Sequence, residues 1–139
     1  MPASIAQYDR WIAAHDGDPR LADALNARCW VRALQGQELA AALSDCSTAL
    51  KLGAKQSPIS ASVLTSRGLV RLRLGDYDKS IADYDDALKL APKNAWALYG
   101  RGVAEMRRKR VPEGQADIAA ATAIRASVAD EFKRRGIIP

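Results

Sequence analysis

One phenylalanine, one histidine, two cysteines and two methionines are all that the 139 residues hold of these types. Aromatic residues make up 6% of the chain and hydrophobic residues 48%, so alanine and leucine must supply most of the apolar surface. Such a core suits close helix packing and argues against a strand-rich fold, where branched and aromatic side chains dominate. Cys29 and Cys46 are too few for a disulfide framework, and their spacing is not that of a metal site. The solitary His15 stands at a helix end, no nucleophile lies beside a base, and no glycine-rich phosphate loop occurs. No catalytic residue, metal or cofactor is therefore expected, and the chain does not read as an enzyme. No apolar run is long enough to span a bilayer, and the start lacks a cationic stretch followed by an apolar one. A cytoplasmic location is the resulting expectation, with a periplasmic or secreted one left open for a processed or cloned fragment.

What the sequence does contain is a phrase written three times. NARCWVRALQGQE (Asn26 to Glu38), TSRGLVRLRLGDY (Thr65 to Tyr77) and YGRGVAEMRRKRV (Tyr99 to Val111) share arginine at the third position and a small residue at the fourth. Each is followed by a second phrase, SDCSTALKL (Ser44 to Leu52), ADYDDALKL (Ala82 to Leu90) or ADIAAATAI (Ala116 to Ile124). Ala87 to Ala121 and Arg67 to Arg101 both span 34 residues, whereas Ala49 to Ala87 spans 38 and points to a longer loop between Gly53 and Ser57. A period of this size marks stacked units, each unable to bury its apolar face alone. The formal charge of +5 adds only a general attraction to acidic partners.

Punctuation divides the phrases into helices. Asp18 and Pro19 open one, Gly36 ends it, and Gly53 ends its mate; Ser57 and Pro58, Gly75, Asp76 and Pro92 bound the next pair, and Asn94 and Pro112 begin the third. SIAQYDRWI (Ser4 to Ile12) matches SIADYDDAL (Ser80 to Leu88), which makes the first helix the second half of a repeat. Ser127 and Asp130 form a capping-box pattern ahead of Val128 and Phe132. A single all-α domain over 1–139 follows, with an orphan helix at 3–15, repeats at 19–53, 58–92 and 95–126, and a capping helix at 127–136.

The unit from Ala61 to Asn94 resembles the tetratricopeptide repeat, through Gly68, the turn Gly75, Asp76 and Tyr77, Tyr84, Ala87 with Leu88, and Pro92. The flanking units keep Ala42, Ala49 and Leu50 on one side and Gly102 and Ala121 on the other, with Cys29 in a glycine place and Ala126 in a proline place. The resemblance implies a right-handed α-solenoid of antiparallel helix pairs whose concave face, lined by first helices, receives a peptide or a partner's helix. The family's carboxylate clamp does not carry over, because Asn26, Trp30, Ser66, Trp96 and Gly100 occupy its positions and include no cation.

Helical spacing instead gives a groove of Asn26, Trp30, Thr65, Leu69, Arg73, Trp96, Tyr99, Val103, Met106 and Arg107, apolar and aromatic in its C-terminal half. It suits an amphipathic helix or an extended apolar peptide with acidic flanks; the competing occupant is the chain's own closing helix, with Val128 and Phe132. Arg28, Arg67 and Arg101 precede Asp45, Asp83 and Asp117 by 17, 16 and 16 residues, so across an antiparallel pair they face one another as structural ion pairs. Stacked repeats could also pair Arg71 with Glu105. Cys29 and Cys46 face each other too; a disulfide requires their Cα atoms within about 4.4 to 6.8 Å, and a reducing compartment would leave two thiols. Two basic clusters, Arg107 to Arg110 and Lys133 to Arg135, lack the interleaved aromatics of a nucleic-acid platform.

The functional expectation is a non-enzymatic scaffold binding a protein partner in the groove, with no small-molecule substrate. Its alternatives are a fragment or assembly module of a larger multidomain protein that docks or self-associates through the N-terminal helix and, third, a basic repeat protein binding RNA or anionic lipid. Salt dependence separates the third from the first.

Overall fold

A computed structural model of the chain describes residues 4–53 and 57–139. Within them lie eight helices and no strand: α1 (Ile5–Ala14), α2 (Leu21–Gln35), α3 (Leu39–Leu52), α4 (Ser57–Leu74), α5 (Tyr77–Leu90), α6 (Ala95–Arg107), α7 (Val111–Ile124) and α8 (Val128–Arg134). Helices α2/α3, α4/α5 and α6/α7 form three hairpins, and each second helix also packs on the first helix of the next hairpin. The result is an α-solenoid of helix-turn-helix repeats. Residue 3, expected to start the first helix, and the extra residues expected between Gly53 and Ser57 lie outside the described residues.

The three hairpin turns are built alike. Gly36 and Gly75 adopt left-handed φ of 68° and 80°, and the amide one residue later donates back to Arg32 O or Arg71 O, a Schellman closure. At the third turn Lys109 takes the glycine place at φ 61° and the Arg110 amide bonds Glu105 O, so the closure survives a side chain. Three expected caps differ. Asp18 Oδ1 accepts the Arg20 main-chain and side-chain N–H groups in a turn, and α2 begins only at Leu21; these bonds from Arg20 hold the Asp18 carboxyl down to about 2. Asp76 makes no side-chain cap. Ser127 already has helical backbone angles, which turn its hydroxyl away from the first-turn amides, and no capping box forms. The box occurs instead on α1, between Ser4 and Gln7, where the sequence reading did not place one.

Small residues let the paired helices approach closely. Tyr84 is wedged between Gly68 and Gly100, and a methyl added to Gly68 would stand 2.7 Å from the ring. In the first hairpin the counterparts of Gly68 and Tyr84 are Cys29 and Cys46, fully buried and joined as a disulfide with Cα atoms 5.7 Å apart. The same interior contact is thus filled by glycine and tyrosine in one repeat and by a covalent bond in another. Opening the bond releases a loop closed over a separation of 17 residues, for which the chain-entropy relation gives a loss of about 3 kcal/mol. Denaturing, non-reducing thiol titration is expected to find no free thiol, and the reduced chain should melt well below the oxidised one; identical melts would refute the structural role.

Candidate functional site: the concave face

Helices α2, α4 and α6 stand side by side and are zipped by amide side chains. Asn26 Nδ2 donates to Ser62 Oγ at 2.9 Å, and Asn94 Nδ2 donates to Thr65 Oγ1 at 2.9 Å while its Oδ1 caps α6. Across this layer Trp30 meets Trp96 edge to face, with ring centroids 5.1 Å apart. The open end of the face is a hollow of about 420 Å³, whose lining includes Asp23, Asn26, Trp30, Ser62, Thr65 and Trp96. Asn26 Oδ1 is buried with no partner among the described residues.

The other end is closed. Phe132 of α8 lies against Trp96 and Tyr99, with centroids 4.4 and 4.6 Å away, and is 0% exposed. Ile137 is buried too and, with Leu72, Tyr77 and Val103, lines a smaller space of about 250 Å³. Tyr99, which Phe132 covers, and Leu69 and Val103, all expected in the open groove, are buried. Met106 is not a groove residue either, because its Cγ and Sδ lie over Gly114 of α7. Spacing cannot show that the chain's own end returns to lie on Trp96 and Tyr99. Of the expected set, Asn26, Trp30, Thr65 and Trp96 line the open hollow. Arg73 and Arg107 instead bond main-chain oxygens: Arg73 Nη2 reaches Leu34 O at 3.0 Å and Arg135 O at 2.7 Å, and Arg107 Nη2 reaches Ile138 O at 2.9 Å. Burial lowers the pKa of Arg73, with Arg135 adding to the effect.

Behind this face the aspartates of the second helices gather arginines. Arg28, Arg67 and Arg101 each make a bidentate pair with Asp45, Asp83 and Asp117 at 2.7 to 2.9 Å. Arg32 and Arg71, one turn further along, reach the same Asp45 and Asp83 at 2.7 and 2.8 Å. Arg71 is therefore not paired with Glu105, since four residues of helix place its head beside Arg67 on the nearer carboxylate; Glu105 faces Arg110. Asp9 and Asp85, which share one position in the aligned second phrases, bridge forward to Arg28 and Arg101. The Arg-x-x-x-Arg spacing and that alignment were the available signals for these added partners. Hydrogen bonds donated to the Asp45 and Asp117 carboxylates raise the pKa values of Arg28 and Arg101. These cations already have carboxylate partners within the fold.

Residues 57–107, which span α4, α5 and α6, match the family described as TPR repeat. This stretch is a tetratricopeptide-repeat segment. No curated protein matches the chain. Tetratricopeptide repeats generally mediate contacts between proteins, and the open hollow lies on the first helices of the matched repeat and its neighbours. The basic edge of this repeat array is partly spoken for, since Arg108 pairs with Asp78 and Arg110 with Glu105. No helix among the described residues is long and apolar enough to cross a membrane.

Proposed function

We propose that the chain is a protein-interaction module that binds a polypeptide segment in the open half of its concave face. The observation carrying this is the hollow of about 420 Å³ lined by Trp30, Trp96, Asn26, Ser62 and Thr65. An apolar side chain seated there would cover the two indoles, and the polar groups of Asn26, Ser62 and Thr65 at the lining would fix its register. The adaptor role requires no catalysis. The buried Cys29–Cys46 bond favours an oxidising compartment, periplasmic or extracellular, over a cytoplasmic one. Ser62 is exposed at the rim, so Ser62→Trp fills the hollow without cutting into the core. In crosslinked pull-downs this variant is expected to retain at least about ten-fold less of the partner recovered with the parent, the equivalent of about 1.4 kcal/mol; equal recovery defeats the proposal.

A second reading has its own observation. Helix α1 touches only α2 among the helices, and Tyr8 and Trp11 line a hollow of about 390 Å³ with Ala24 and Ala27. Trp11 stands where the other second helices carry Ala49, Ala87 and Ala121, all fully buried. Its ring stacks on His15 with centroids 4.1 Å apart, and the Arg20 guanidinium lies 5.3 Å from its centre. Self-association here would appear as a concentration-dependent mass abolished by Ala27→Arg.

A further inference from the structure

The closed half of the groove is filled in the way a bound peptide would fill it. Arg73 and Arg107 occupy equivalent places in successive repeats, five residues after Gly68 and Gly102. Neither has a carboxylate partner among the described residues, although Arg28, Arg32, Arg67, Arg71 and Arg101 all do. Each sends one Nη2 to a main-chain oxygen of the C-terminal segment, Arg135 O and Ile138 O, three residues apart. Carbonyl oxygens carry no side-chain identity, so these arginines would hold any segment lying in that position. Selection falls to two apolar places: Trp96 with Tyr99 takes Phe132, and the buried Ile137 shares the lining of a space with Leu72, Tyr77 and Val103. Between them Gly136, at φ 77°, turns the chain out of its helix, which frees the carbonyls that the arginines receive. The α6/α7 hairpin closes through its own Arg101–Asp117 pair, and α8 joins it through the exposed residues Arg125, Ala126 and Ser127.

We propose that residues 128–139 are a resident ligand of this half of the groove, displaced by a partner polypeptide of the same pattern: an aromatic residue, an aliphatic residue five positions later, and a helix that ends between them. This rests on the reading of the concave face as a polypeptide-binding surface and adds the kind of segment that the closed half accepts. A tethered occupant competes at an effective concentration in the millimolar range, so the parent chain holds this half shut, and weakening the occupant opens it.

The probe is a fluorescein-labelled synthetic peptide of residues 126–139, followed by anisotropy against the full chain. The Phe132→Ala chain is expected to bind it at least about ten-fold more tightly than the parent, in proportion to the open fraction. A probe carrying the same Phe-to-Ala change should not bind, and adding Arg73→Ala to the chain should weaken binding several-fold. A Phe132→Ala chain that keeps its helical circular dichroism and ignores the peptide overturns the proposal. Should that chain fail to fold, hydrogen exchange on the parent decides: amides of α8 must exchange at least about a hundred-fold faster than those of α6, and exchange of both in one global event overturns the proposal. Ser62→Trp should leave peptide binding unchanged. Partner loss in that variant therefore reports on the open half alone, and the two ideas fail separately.

Discussion

Asp83→Ala is expected to lower stability by about 3 to 5 kcal/mol, the range for breaking a buried ion pair from one side. Asp83 is 3% exposed and receives Arg67 through two bonds and Arg71 through a third. Removing the carboxylate leaves two guanidinium groups facing each other, mostly shielded from water, at the interface of α4 and α5. A domain has only about 5 to 15 kcal/mol in total, so a large drop in melting temperature should accompany the change. Asp85→Ala is the control. That residue also meets an arginine, Arg101, but its side chain is 46% exposed, and pairs of this kind contribute about 0 to 1 kcal/mol. Thermal melts of the two variants beside the parent test the contrast; an Asp83→Ala protein that melts like the parent would remove the ladder from any account of stability.

Tyr84→Ala should cost a similar amount, about 3 to 5 kcal/mol, as large aromatic deletions in tight cores do. The ring is the largest fully buried side chain and fills the space between Gly68 and Gly100. Its hydroxyl has no hydrogen-bond role among the described residues, and burial raises its pKa, so Tyr84→Phe should stay within about 1 kcal/mol of the parent. Gly100→Ala attacks the same contact from the other side. A methyl there would run into the tyrosine ring and its hydroxyl oxygen, and overpacking of this sort costs about 1 to 3 kcal/mol. Denaturant melts of the three variants should place Tyr84→Ala as the most damaged, Gly100→Ala next and Tyr84→Phe as the least. A harmless Tyr84→Ala would mean that the glycines serve something other than this ring.

Much of the fold was legible because the repeat states it several times. Gly36 and Gly75 marked turns since their backbone angles are left-handed, and arginine and aspartate at fixed separation named the pairs that hold each hairpin. The second arginines were harder to read. Arg32 and Arg71 share a helix face with Arg28 and Arg67, but only the packed hairpin shows one carboxylate within reach of both heads. Cys29 and Cys46 faced each other on paper, but spacing alone left a disulfide and two free thiols as alternatives. The candidate site was the least legible part. Leu69, Tyr99 and Val103 belong by spacing to the same stripe as Trp30 and Trp96, yet the first three are buried and the tryptophans are not.

Local chemistry therefore determined the elements: helices where alanine and leucine recur at helical spacing, turns where glycine permits positive φ, and ion pairs where charge repeats with the period. Those outcomes depend on interactions within one repeat, and three copies of the phrase report them redundantly. Only the tertiary structure decided which part of the concave face is open. That depends on where α8 and its tail come to rest, a contact between distant parts of the chain that occurs once, so no second copy of the phrase could announce it.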